Sequence, residues 1–262
     1  MRRPRLVTLT TDIGAAYAAQ MKAVLAHADP PLTVVDLAHD LIPHAIGEAA
    51  FLVRAMAAGF PAGTVHVVVV DPGVGGRRAA LAIATKDGSR LVGPDNGVLL
   101  PLADALGGGR AYRLRAAASR VGRTFDGRDL FAPAALRLAQ GTAPARLGEP
   151  IAPRRFRLPT ASRSAHGARG EVLHRDRFGN LISNVPSDWV PPGVRRLSFR
   201  LNDRARRQVP FARSYEELGR RRLGVLSSSF GLLEVAVGEG DAARRLGAAV
   251  GDRLTLTWSR RV

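Results

Sequence analysis

Short branched-apolar runs alternate with amphipathic stretches along the first 150 residues, a succession of strands and helices. Leu6–Thr10 reads as a buried strand that ends in polar Thr11-Asp12 and then Gly14. A helix is predicted from about Ala15 to His27, with Met21, Val24 and Leu25 on its apolar face, and Pro30-Pro31 breaks it. Leu32–Leu37 is a second strand, and Ala45 to Ala58 reads as a helix closing at Gly59-Phe60-Pro61. Thr64–Val70 is β-branched at every position but His66, as a strand covered on both faces should be. Ala79–Thr85 and Arg90–Gly93 follow as strands joined by the turn signal Asp87-Gly88, and Phe131–Ala139 reads as a helix around Ala132-Pro133. The pattern predicts an α/β domain with a mostly parallel, helix-covered sheet, assigned to residues 1–157.

The character changes at Ile151–Gly170, which is rich in Arg, Pro, Ser and Gly, and residues 158–167 are the expected linker. Beyond it, Glu171–Leu173, Arg195–Leu201, Gly224–Leu226, Leu232–Val237 and Arg253–Trp258 are short strand-like runs separated by turns. They predict a smaller β domain over residues 168–262.

Composition narrows the chemistry. Cysteine is absent, which excludes a disulfide framework, thiolate catalysis and Cys-ligated zinc. The six histidines show no HExxH or similar ligand spacing, which argues against a built-in metal. The basic start Met1-Arg2-Arg3-Pro4-Arg5 is followed by Leu6–Leu9, too short and too polar for a signal segment, so a cytoplasmic location is expected. No apolar run approaches the roughly 20 residues of a spanning helix. The formal net charge of +17 invites a nucleic-acid reading. Runs such as Arg204–Arg207 and Arg220–Arg222 have few aromatics beside them to stack bases, so specific nucleic-acid binding is not expected.

In a parallel α/β sheet, ligands gather at the carboxyl ends of strands. Asp12 ends the first strand, and Asp71 ends Thr64–Val70 directly before Pro72-Gly73-Val74-Gly75. A carboxylate after so apolar a strand needs a partner, which Arg77 or Arg78 can supply across the glycine turn; the bland alternative is an acidic turn residue capping local amides. Thr124–Asp129 packs two carboxylates and an arginine around Gly127, either as a helix cap with a salt bridge or as a site. Asp176-Arg177-Phe178-Gly179-Asn180 is a hairpin-like turn with an acceptor and an amide suited to a polar ligand. Pro94-Asp95-Asn96-Gly97 reads as a turn, and His66, within a buried strand, as a satisfied core residue. His39 and His44 stay open between structural and ligand-facing roles.

Taken together, these segments resemble the SAM hydrolase family, the adenosine-forming SAM (S-adenosyl-L-methionine) hydroxide adenosyltransferases, which are related to SAM-dependent fluorinases and chlorinases. The matching segments include LTTDIG at Leu9–Gly14, VVDLAHDLIPH at Val34–His44, FPAGTVHVVVVDPGVGG at Phe60–Gly76, TFDGRDLFAPAA at Thr124–Ala135, DRFGNLISN at Asp176–Asn184 and GLLEVAV at Gly231–Val237. The resemblance implies a three-layer N-terminal α/β domain, a C-terminal β-barrel-like domain, and a homotrimer whose SAM sites lie between subunits. It implies SAM as substrate, no cofactor, and hydrolysis to adenosine and methionine by water attacking the 5′ carbon. The catalytic Asp of the family's DPGVG turn falls on Asp71 and its Arg partner on Arg78. By the same resemblance, Asp12 holds the ribose hydroxyls, Phe125 lines the pocket, Asp176 faces the methionine amino group, Asn180 the adenine edge, and Ser229 the methionine end.

Two positions depart from the pattern. Asp126 stands where the family motif TFHGRD has its catalytic His, and the second Asp that usually follows TDxG is missing at Ala15-Ala16-Tyr17. Three readings follow for Asp126: it accepts a hydrogen bond from water or Arg78 and preserves activity, it slows the enzyme by crowding Asp71, or the chain binds adenosyl ligands without turning them over. Halogenation is disfavoured, because the halogenating relatives carry Tyr in place of Asp71.

Overall fold

The computed structural model describes residues 5–115, 122–202 and 204–258, so Met1–Pro4 of the basic start lies outside the described residues. The chain divides into two compact units, Met1–Leu158 and Pro159–Val262.

The first unit runs β1 (Leu6–Thr11), α1 (Gly14–Leu25), β2 (Thr33–Ala38), α2 (Ile46–Ala57), β3 (Val65–Val69), β4 (Ala80–Thr85), β5 (Arg90–Pro94), α3 (Leu100–Ala105), β6 (Gly109–Leu114), α4 (Ala132–Ala139), α5 (Pro144–Leu147) and β7 (Gly148–Pro150). A π-helical turn, Gly127–Phe131, leads directly into α4. The seven strands form one sheet in the order β2-β1-β3-β5-β4-β6-β7. The β2-β1-β3-β5 half is parallel, as the β/α alternation predicts. The β4, β6 and β7 pairings are antiparallel, so the sheet as a whole is mixed. The cause is local: β4 and β5 are joined by Lys86–Ser89, where Asp87 accepts hydrogen bonds from Thr85 Oγ1 (2.6 Å) and Ser89 N (3.0 Å). So short a link can only return the chain alongside itself.

Alternation along β1 and β3 sorts the two faces. Val7, Leu9, Val65, Val67 and Val69 pack with Met21 and Leu25 of α1 and Leu138 of α4. Thr8 and His66 point the other way, where the Phe60 ring, just beyond α2, meets His66 edge-on at 6.0 Å. His66 is 1% exposed, and its Nδ1 shares a 2.8 Å hydrogen bond with Thr8 Oγ1. Burial pushes its pKa down to about 4, against a small opposing pull from Asp87.

The second unit comprises β8 (Ser162–Ser164), β9 (Gly167–Arg175), β10 (Leu181–Pro186), β11 (Arg196–Leu201), β12 (Arg207–Pro210), α6 (Tyr215–Leu218), β13 (Leu223–Ser227), β14 (Leu232–Val237), α7 (Ala242–Leu246) and β15 (Arg253–Thr257). Their order is β12-β11-β15-β9-β10-β14-β13, with β8 added on β9. Every pairing is antiparallel. A bridge between Phe211 and Val225 draws the two end strands together, and the sheet nearly closes into a barrel. Its inside is filled by alternate residues, among them Leu181, Leu197, Phe199, Leu233, Val235 and Leu256. Within the segment expected as a linker, Ser162–Ser164 is a strand paired to Gly167–Arg169. Among the described residues, no helix is long and apolar enough to cross a membrane.

His66 makes the first unit pH-sensitive. Its folded pKa lies below the unfolded value of about 6.5, so the unfolded chain takes up a proton first as pH falls. Stability is therefore full above pH 6.5 and declines toward pH 4, by about 3 kcal/mol for this group. Denaturant titrations across that range should show a shallower decline for His66→Gln than for the parent.

Candidate active site

Asp12 and Asp71 follow the carboxyl ends of β1 and β3, adjacent parallel strands in which Thr11 pairs with Val69. The edge is held from several sides. Asp12 N donates to Val69 O (3.3 Å), and Asp12 Oδ2 accepts the His44 amide at 2.9 Å. His44 adopts a left-handed backbone (φ 68), and its amide serves the site. Asn96 Nδ2 donates to Val70 O at 2.8 Å, which makes the Pro94–Gly97 turn a brace for the residue just before Asp71.

Asp71 opens two overlapping turns, with Val74 N bonded to Asp71 O (3.2 Å) and Gly76 N to Gly73 O (3.0 Å). Gly75 is required here: its φ is +75°, and a Cβ would lie 2.6 Å from the Arg123 carbonyl oxygen. The turns bring Arg78, not Arg77, back onto Asp71. Arg78 Nε lies 3.0 and 2.9 Å from the two carboxylate oxygens, and Nη2 also donates to Oδ2. The same Nη2 donates to Asp126 Oδ2. Both carboxylates are about 95% buried, and Arg78 lies 5.4 Å above the Phe131 ring. Burial works against the Arg78 charge, but the hydrogen bonds it donates to Asp71 and Asp126 outweigh it and hold its pKa above the ordinary value.

Asp126 precedes the π-helical turn without a side-chain capping bond to it. Such turns often mark functional sites, since the extra residue re-aims side chains. The salt bridge expected in this segment forms instead between Arg128 and Asp129, at 2.6 Å. Phe125 is clamped by Tyr17, edge-on at 5.5 Å, and by Arg128 at 5.3 Å. Asp12, Asp71, Val74, Phe125, Asp126 and the His44 segment line one pocket of about 310 Å³. Thus four residues singled out from the sequence share one cavity, and Arg78 stands directly behind it.

A polar chain supports the same edge. Thr11 Oγ1 meets His39 Nδ1 at 3.0 Å, His39 Nε2 lies 3.0 Å from Asp36, and Lys22 Nζ bonds Asp36 at 2.6 Å. His39 therefore faces the framework of the site. Tyr17, Asn96 and the His39 chain were not identified as site residues by motif reading; their roles depend on partners distant in sequence.

In the second unit, the turn between β9 and β10 brings Asp176 and Asn180 together. Asp176 accepts from the Phe178 and Asn180 amides and from Asn180 Nδ2, each at 2.9 Å. Asn180 Nδ2 also reaches Tyr215 Oη (3.3 Å), and that hydroxyl donates to Glu234 Oε1. Burial pushes the Glu234 carboxyl up and Asp176 adds to this, while the Tyr215 bond opposes it. Phe178 in this turn is 70% exposed. Ser229 is elsewhere, in the turn between β13 and β14. The β10–β14 register pairs Leu181 with Val235 and Pro186 with Leu232, so Ser229 lies beyond the opposite end of the strand pair.

Comparisons with known proteins show what the chain as a whole is similar to. Residues 7–148 match the SAM hydroxide adenosyltransferase N-terminal domain, and residues 170–255 match the corresponding C-terminal domain. The chain is 39% identical over 260 residues to an (R)-S-adenosyl-L-methionine hydrolase from Salinispora tropica, covering 96% of this chain and 97% of that one. It is 38% identical over 265 residues to the protein of the same name from Thermus thermophilus, covering 94% and 97%. An uncharacterized conserved protein from Thermotoga maritima superposes with a TM-score of 0.86 at 30% identity, over 96% of this chain and 99% of that one.

Removing Arg78 should expose its structural weight. Arg78→Met leaves Asp71 and Asp126 buried without a counter-charge, a change expected to cost about 3–5 kcal/mol at pH 7. Urea titrations of parent and variant at pH 7 measure the deficit.

Proposed function

The chain belongs to the SAM hydroxide adenosyltransferase family, and on that premise we propose that it hydrolyses S-adenosyl-L-methionine to adenosine and L-methionine. The observation that carries the reading is the buried Asp71–Arg78–Asp126 cluster bordering a pocket that also contains Asp12. One guanidinium between two carboxylates leaves a formal charge of −1. That charge suits a sulfonium substrate and opposes an anionic nucleophile such as a halide, whereas water is neutral.

The sulfonium is already a good leaving group, so no acid is needed at sulfur. The enzyme must align water, C5′ and sulfur, and remove a proton. In the proposed step the water oxygen bonds C5′ as the C5′–S bond breaks. Sulfur keeps the electron pair as the methionine thioether, and Asp71 takes the water proton. Arg78 fixes the orientation of Asp71, and Asp126 holds the other side of Arg78 where the family motif has a histidine. The proposal gives the two ribose hydroxyls to Asp12 and a pocket wall to Phe125. It assigns Asp176, Asn180 and Ser229 to the methionine amino group, the adenine edge and the methionine end, respectively. The homotrimer with sites shared between subunits belongs to the same proposal.

Incubation of purified protein with SAM, with products separated by chromatography, tests the reading. The parent should release adenosine and methionine, and Asp71→Asn should lower kcat at least about 100-fold, the weight of a positioned base. Asp12→Ala should act mainly on KM, raising it about 10- to 100-fold for the loss of charge-assisted bonds. Bound adenosyl ligand with no release of adenosine from the parent would identify a binding protein instead. Sedimentation should give a particle near three times the 27.9 kDa chain mass.

A further inference from the structure

One outer face of the second unit carries arginines and hydroxyls with no acid between them. Strands β11, β15, β9 and β8 are consecutive neighbours, and their register sets Arg200 opposite Thr255, Thr255 opposite Arg169, and Arg169 opposite Ser162. The next rung on the same face reads Ser198, Thr257, Gly167 and Ser164. The intervening residues Phe199, Leu256 and Ala168 fill the barrel core, so alternation sends both rungs outward. Arg200 and Arg169 are two strands apart, which separates their Cα atoms by roughly 10 Å and leaves the Thr255 hydroxyl between them. Gly167 adds no side chain to the floor. The result is a hollow of about 320 Å³ with Arg163 and Arg206 at its rim. Among the described residues no Asp or Glu lines it; Glu171 lies further along β9, opposite Arg253.

Two atoms of this face lack a hydrogen-bond partner. Arg200 Nε and Ser198 Oγ are both buried and unsatisfied, and Ser198 is only 7% exposed. Buried polar atoms are seldom left so, and a turn of the Arg200 side chain toward the hollow it lines would pair its N–H donors with an acceptor oxygen held there. Arg163 is already engaged, lying 5.9 Å over the Trp189 ring. Arg169, Arg200 and Arg206 remain to face the hollow. Guanidinium groups spaced around hydroxyls match a ligand with two adjacent, multiply charged oxyanion centres.

We propose that this hollow is a binding site for a phosphate-bearing anion of the pyrophosphate class, separate from the Asp71 pocket. Neither rung offers an aromatic side chain on which a base could stack, which favours a compact anion over a nucleic-acid strand.

Isothermal titration calorimetry of the whole protein with sodium pyrophosphate, at fixed ionic strength and with sulfate as comparator, tests the site. The expected result is one pyrophosphate per chain, bound at least 10-fold tighter than sulfate. Arg200→Lys, which keeps the charge but loses the fork, and Arg169→Ser should each weaken binding at least 10-fold. The thermal midpoint and SAM turnover should stay unchanged. Arg206→Ala, on an exposed segment where the fold of the strands is not at stake, is a second probe and should also weaken binding. Pyrophosphate binding no tighter than sulfate, or equal in parent and variants, would reduce the face to diffuse positive charge and overturn the proposal. So would displacement of pyrophosphate by a single-stranded oligonucleotide that binds with higher affinity and a steep salt dependence.

Discussion

The first unit is organised around one guanidinium. Arg78 lies between Asp71 and Asp126, and these three side chains have given up nearly all contact with water. Three desolvated charges are tolerable only if each returns to another what it lost to solvent, and the paired geometry supplies that. The requirement reaches into the fold. Asp71 must follow a strand apolar enough to be buried, the glycine turn must reverse the chain tightly, and the π-helical turn must present Asp126 at the entrance to α4. A change in any of these segments leaves a buried charge without its partner.

The same interaction explains how the departure at Asp126 is accommodated. A histidine there would supply a ring that donates or accepts according to its tautomer. A carboxylate only accepts when ionised, and here it accepts from Arg78. The cluster then carries one more formal negative charge than an Asp–Arg pair with a neutral imidazole. That surplus favours a cationic substrate, while it also places two carboxylates close to one another. Arg78 moderates their repulsion by donating to both.

Around this centre, the supporting contacts come from backbone and polar chains. Asp12 is held by an amide, Asn96 holds the carbonyl before Asp71, and the Thr11–His39–Asp36–Lys22 chain stiffens the end of β1. In the second unit, Asp176, Asn180, Tyr215 and Glu234 form an analogous connected set. In both places the residue expected to meet a ligand is braced by one that is not. Preorganisation of this kind lowers the reorganisation needed when a ligand arrives.

The sequence by itself determined the α/β succession, the parallel order of its first strands and the carboxylates at strand ends, because periodicity and turn chemistry are local. Thr64–Val70 reads as a buried strand from composition alone, and the glycines after Asp71 announce a tight turn. Motif order also made the family legible, since DPGVGG, TFDGRD and DRFGN persist as short contiguous strings. The choice of Arg78 over Arg77 from local residues, the Asp126 contact with that same arginine, and the service of His44 through its amide depended on tertiary structure. So did the separation of Ser229 from Asp176 and the arginine rung across β11, β15 and β9. Each joins residues tens of positions apart, where strand register and turn handedness, not local preference, decide which side chains meet.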